Sequence, residues 1–178
     1  MQKNLDLARY QGLWYDAASI PQFFNRNVAW QTAEYTLMTD DTDGIDTPYV
    51  RVHNIAYNTD GSIKNQITGR AVVVDAKDPA ALNVSFGGIF SLFSNPERAN
   101  YIVHDTDYDT YSIVGSDDGS NLYFLVRERP IQEDLYAQMV EYARNLGYEV
   151  ERLREGYHAI LPFPIEEPET AGDDCQIL

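Results

Sequence analysis

The chain has 178 residues and carries 28 Asp and Glu against 13 Lys and Arg, a formal charge of −15. That balance repels phosphate backbones and argues against a nucleic-acid partner, and no apolar run approaches the length of a membrane span. The length suits one domain that can bury a full core unaided, and the single cysteine, Cys175, permits no intrachain disulfide.

Met1 to Tyr10 is polar and lacks the apolar centre of a signal peptide, which predicts a cytoplasmic chain; secretion is expected only if a leader was removed ahead of Met1. Trp14 to Ile20 then gives a first strand, with Trp14, Asp16, Ala18 and Ile20 on one face by the period of two and Pro21 ending it. Gly12 permits a close approach where the strand begins, and Trp14 is large enough to plug one end of a barrel. Val28 to Met38 alternates into a second strand in which Ala33, Tyr35 and Leu37 share a face. The acidic stretch Asp40 to Pro48, punctuated by Gly44, reads as a loop longer than a hairpin needs.

Tyr49 to Tyr57 and Ser62 to Asp75 flank Asn58-Thr-Asp-Gly61, a hairpin signal because Gly61 accepts positive φ. Asp78-Pro79 reads as the next turn, Leu82 to Phe86 as a short strand, and the alternation stops over Gly87 to Phe93. Tyr101 to His104, Asp109 to Gly115 and Leu122 to Arg127 complete eight strands. Sequential strands joined by short turns predict an all-β fold, an eight-stranded up-and-down antiparallel barrel. Pro130 opens a helix over about 131–146, with Glu133 and Asp134 in its first turn and Gly147 as its C-terminal cap. Leu135, Met139, Tyr142 and Leu146 form its apolar stripe, which packs this one C-terminal helix on the barrel wall. Barrel and helix are expected to span 1–161, with an edge strand over Tyr157 to Leu161 and an acidic tail over 162–178.

Three segments, Gly12-Leu13-Trp14-Tyr15, Thr106-Asp107-Tyr108 and Leu122 to Arg127, occur in this order ahead of the helix. In this the chain resembles the lipocalins from about Tyr10 to about Leu161, and is nearest in sub-type to apolipoprotein D, the bacterial outer-membrane lipocalins and the plant temperature-induced lipocalins. The resemblance implies a closed barrel that binds, transports or scavenges one small hydrophobic molecule: a fatty acid, lysolipid, sterol or isoprenoid. Gly12, Trp14 and Arg127 become a structural cap, with the guanidinium across the indole face. The positions implied to line the cavity are Tyr35, Asn54, Phe86, Tyr101 and Tyr123, and Tyr123 stands where close relatives usually carry Trp. A period of two does not distinguish such a lining from a filled core. Prostaglandin D synthase, a lipocalin enzyme, uses a cysteine inside the barrel; this chain has none before position 175, so the expectation is a binding protein and not an enzyme.

Ile89, Phe90, Leu92 and Phe93 put four large apolar groups into a loop, where they serve as a lid over the barrel mouth or as a membrane contact. The final Cys175-Gln-Ile-Leu178 fits a prenylation box of the geranylgeranyl type. One prenyl chain anchors only reversibly. The tail from Pro162 carries Glu166, Glu167, Glu169, Asp173 and Asp174 and no Lys or Arg, so anionic lipid gives no help and the 89–93 loop is the candidate second anchor. The alternative from another class is a prenyl-tethered protein-interaction module with a filled barrel and no ligand.

No metal or cofactor is expected. Asp105-x-Asp107-x-Asp109 starts like a calcium loop, but Thr110 and Ser116 occupy the positions of its Gly and its bidentate Glu. His53, His104 and His158 lack ligand spacing. Asn83-Val-Ser85 is a glycosylation sequon, and Asp16, on the face of Trp14, is a buried carboxylate whose pKa is expected to rise.

Overall fold

The computed structural model describes residues 4–21, 28–42, 45–87, 95 and 97–156. One helical turn, α1 (Leu7–Tyr10), precedes eight strands: β1 (Gly12–Ser19), β2 (Trp30–Thr42), β3 (Ile45–Tyr57), β4 (Ile63–Asp75), β5 (Asp78–Ser85), β6 (Tyr101–Thr106), β7 (Tyr111–Gly115) and β8 (Leu122–Val126). The helix α2 (Glu133–Asn145), a 3₁₀ turn (Val150–Arg152) and a short strand β9 (Arg154–Glu155) follow. Each strand pairs with the next in sequence, and β1 pairs with both β2 and β8, so the sheet closes on itself. All pairings are antiparallel. The expected eight-stranded up-and-down barrel with a helix after it is what the chain forms.

Several boundaries differ from the sequence reading. The acidic stretch is strand almost throughout, because β2 and β3 stay paired down to Thr42 opposite Ile45. Pro48 is admitted there, since β3 pairs with β4 only from Val50 onward and the missing N–H falls where β3 has one neighbour. Asp78-Pro79 opens β5 instead of forming the turn, which Ala76 and Lys77 supply. The hairpin at Asn58 is as expected, with Gly61 at φ 83. A two-residue strand, Arg154–Glu155, which was not expected, pairs with β1. Tyr157 to Leu161, the 162–178 tail with Cys175, and the loop positions Ile89, Phe90, Leu92 and Phe93 lie outside the described residues.

Two cores result. The inner one gathers Trp14, Tyr35, Val50, Val52, Ala71, Leu82, Val103 and Leu125 inside the barrel. The outer one, with Ala17, Ile20, Ile113, Phe124, Met139 and Ala143, lies between wall and helix. β1 serves both because its register against β8 shifts between Asp16 and Ala18; a bulge of this kind turns the following side chains to the other face. The expectation of one face from Trp14 to Ile20 is corrected accordingly: Ala18 and Ile20 face the helix. On α2, Met139 is 1% exposed and Ala143 fully buried, whereas Leu146 is 41% exposed and falls off the stripe it was assigned to.

Candidate functional site: the interior of the barrel

The closed end is built by the residues that carry the sequence motif. Trp14 is fully buried and its Nε1 donates to the Tyr10 carbonyl at 3.0 Å. The Arg127 guanidinium lies 3.6 Å from the indole centroid. It also donates to the carbonyls of Leu13 and Gln11, each at 2.8 Å, and of Tyr108 at 3.0 Å. Gly12 sits at φ 94, and a Cβ there would lie 3.2 Å from Arg127 Nη1. These groups spend every directed contact on the chain itself. Together these contacts tie the start of β1 to the end of β8 and to the Tyr108 turn.

Thr106-Asp107-Tyr108 turns the chain beside the cap. The Asp107 carboxylate accepts from the backbone N–H of Thr110, Asp109 and Tyr111 at 2.8, 3.1 and 3.0 Å, and from the Thr110 hydroxyl. Partial burial pushes its pKa up, but these hydrogen bonds outweigh that and hold it below the ordinary value. Asp105 accepts from the Tyr111 hydroxyl at 2.7 Å and Asp109 pairs with Arg9. The carboxylates that mimic a calcium loop thus organise the turn.

Above the cap, Tyr35 and Tyr101 meet. Their hydroxyls are 2.8 Å apart, and the Tyr10 hydroxyl is 3.1 Å from that of Tyr101 and 2.9 Å from Ser112 Oγ. Burial drives the Tyr10 pKa up to about 12 and those of Tyr35 and Tyr101 well above the usual phenol value. Tyr10 and Ser112 were not singled out from sequence. Tyr10 lies on a helical turn too short to show periodicity.

Asn54 and Phe86 make no hydrogen bond to that cluster, while Tyr123 is close enough to raise the Tyr35 pKa. Tyr123 packs on the inner core from β8, and burial with the nearby Asp16 charge raises its pKa. Asn54 follows the buried Val52 by two positions on β3, opposite Ala33. Phe86 lies just past β5, with its ring against Gly69 so closely that a Cβ at Gly69 would come within 2.6 Å. The strand glycine marks a close approach, a signal the sequence carried unread.

Asp16 completes the interior. Its Oδ2 accepts from Gln31 Nε2 at 2.6 Å and Ser19 Oγ at 2.8 Å, while Oδ1 is shielded from solvent without a partner, as is Asn54 Oδ1. Burial raises the Asp16 carboxyl to about 6. Gln31 was legible as the position two before Ala33 and four before Tyr35 on one strand face. Among the described residues no cluster of metal-ligating groups occurs. Two surface depressions, of about 630 and 250 Å³, lie outside the barrel beside α2 and beside Asn95, and none of the expected lining residues borders them.

Comparison with known proteins agrees with this geometry. A family model described as a lipocalin-like domain matches residues 5–157. Temperature-induced lipocalin-1 of Arabidopsis thaliana is 31% identical over 98% of this chain and 89% of its own. The outer membrane lipoprotein Blc of Citrobacter freundii is 31% identical over 84% of this chain and 77% of its own. In fold, the chain is similar to a lobster apocrustacyanin, with TM-score 0.60 at 14% identity over 88% of this chain and 79% of that one. A cockroach allergen, Per a 4, gives TM-score 0.55 at 21% identity over 86% and 88%. With the model covering the whole barrel and relatives of this identity spanning most of its length, the chain belongs to the lipocalin-like family, whose members generally bind small hydrophobic ligands.

Proposed function

We propose that the protein binds and carries one small hydrophobic molecule of the fatty-acid, lysolipid, sterol or isoprenoid kind inside the barrel, without chemistry on it. One observation carries this reading. Asn54, Tyr101 and Tyr123 belong to the inner face of a closed barrel yet remain only half-buried, as residues do when they line a space instead of filling one. An apolar wall with few polar groups is the usual make-up of a ligand site. A ligand of about 20 heavy atoms at about −0.3 to −0.4 kcal/mol per atom binds with a Kd from about 1 to tens of μM.

Native mass spectrometry of the protein from eukaryotic cytosol tests it. A lipid-sized adduct released on mild activation is expected, with weaker uptake by Tyr123→Ala and Phe86→Asp. A bare chain that takes up no fatty acid, sterol or isoprenoid would instead favour the interaction module. The hydroxyl cluster of Tyr10, Tyr35 and Tyr101, which fills the capped end, is the observation on that side.

The proposal extends to location. The chain is cytoplasmic and reversibly membrane-held through a prenyl group on Cys175, with Ile89, Phe90, Leu92 and Phe93 as the second anchor. What supports this is the motif Cys175-Gln-Ile-Leu178, which holds the lone cysteine followed by two residues and Leu. Cys175→Ser is expected to shift the protein from the membrane to the soluble fraction of eukaryotic cells and to remove a prenyl-sized mass; unchanged partitioning and mass would end the idea.

A further inference from the structure

Buried acceptors without donors are costly, about 1–3 kcal/mol each, and the interior wall holds two. Asp16 Oδ1 on β1 and Asn54 Oδ1 on β3 are both shielded from solvent and unpartnered. The other Asp16 oxygen is already saturated by Gln31 and Ser19, so the free one is not a matter of which way the carboxylate turns. β1, β2 and β3 are consecutive around the barrel, and Asn54 lies two residues along β3 from Ala56, the partner of Gln31, which places the two positions about 12 Å apart along the wall. On the other side of β1, β8 brings Tyr123 opposite Ser19, and the charge of Asp16 is felt at the Tyr123 hydroxyl. This is a polar band across four neighbouring strands, and its unmet demand is for hydrogen-bond donors.

We propose that the barrel selects hydrophobic molecules whose head group donates a hydrogen bond and carries no negative charge, such as a long-chain alcohol, over fatty-acid anions, with Asp16 Oδ1 as the acceptor. The inference rests on the reading that the interior holds an apolar ligand and narrows its class. A hydroxyl that gives its proton to Oδ1 satisfies a buried acceptor. A carboxylate brought to the same wall meets a like charge in a poorly screened space, and one of the two must take up a proton. Burial lifts the Asp16 carboxyl only to about 6, so at pH 7.4 that charge is present and the penalty falls on the anionic ligand.

The test uses the full chain at pH 7.4 with N-phenyl-1-naphthylamine as a fluorescent probe, displaced by dodecanol, dodecanoate or dodecyl methyl ether. Dodecanol is expected to displace the probe at a concentration about tenfold lower than dodecanoate, and also below the ether, although the ether is the more apolar. Asp16→Asn, whose amide turns an N–H toward the ligand, is expected to bring alcohol and acid within about twofold of each other. Equal or tighter binding of dodecanoate by the native chain, an ether as good as the alcohol, or an unchanged ratio in Asp16→Asn would each overturn the inference. If that variant does not fold, the alcohol–ether comparison on the native chain decides alone. A probe that binds and is displaced without regard to head group defeats only this inference. A chain that takes up neither probe nor lipid defeats the binding reading as well.

Discussion

Arg127 shows how much of this barrel hangs on single side chains. Its charge could be kept by lysine, but its planar fork serves three carbonyls at 3.0 Å or less while stacking on Trp14, and an ammonium cannot reproduce that geometry. Arg127→Lys is therefore expected to cost about 2–4 kcal/mol, seen as a lowered denaturant midpoint with unchanged slope. A loss within about 0.5 kcal/mol, the size of an ordinary surface change, would mean that the cap does not hold the barrel. Trp14 and Arg127 were paired ahead of the structure through the resemblance to the lipocalins, since no local pattern joins a ring on the first strand to a cation after the last. Asp16 was legible only as a carboxylate on a buried face. That one of its oxygens is satisfied and the other not depends on where Gln31 and Ser19 stand, and pairing register fixes that, not local pattern.

At the scale of elements, the most telling junction joins the end of α2 to β6 and β7. Gly147 at φ 91 stops the helix, its N–H bonds the Arg144 carbonyl, and Tyr148 N–H bonds that of Ala143, a Schellman end. Tyr148 is thereby swung onto the wall. There its hydroxyl donates to the Ser116 carbonyl at 3.0 Å and lies 2.7 Å from His104 Nε2. Gly115 makes room, since a Cβ there would lie 2.0 Å from that hydroxyl. With its only proton given to Ser116, the Tyr148 hydroxyl must accept from His104, which makes Nε2 the protonated nitrogen and leaves Nδ1 bare, buried and unpartnered.

Burial lowers the His104 pKa from 6.5, so the native state binds fewer protons than the unfolded one below that value. The stability His104 supplies is complete above pH 6.5 and is lost as pH falls toward its folded pKa. Chemical denaturation at pH 7 and pH 5 is expected to show a larger fall for the native chain than for His104→Gln. The Asp16 carboxyl, raised to about 6, acts in the opposite sense, but it is common to both proteins and cancels in the difference. Equal falls would show that the junction does not sense pH.

The helix and its glycine stop could be read from residue spacing; the histidine lock could not, because it joins residues 44 positions apart. Strand count was legible for the same local reason as the helix. Strand ends were not: the partner strand, not the residue's own preference, carried β2 and β3 through the acids of the 40–48 stretch.

For the whole molecule, the formal charge of −15 sets the main long-range term. Ion pairs among the described residues join side chains with substantial solvent exposure, and such pairs contribute little. Self-repulsion then dominates, and it is screened as the Debye length shrinks from about 30 Å at 0.01 M to about 8 Å at 0.15 M salt. Raising NaCl over that range is expected to stabilise the fold by about 1 kcal/mol, about 2–4 °C in Tm; a falling Tm would show that the ion pairs matter more than the net charge.

The amide nitrogen of Asn83, the atom a glycan would join, donates to the carbonyls of Asn95 and Arg98 at 2.9 and 2.6 Å, on a residue 4% exposed. A sugar on that nitrogen and the folded wall are therefore mutually exclusive. If this chain were ever routed through a compartment that adds glycans, modification at Asn83 would have to win a race against barrel closure. A glycosylated molecule would be the record of one that lost its chance to fold.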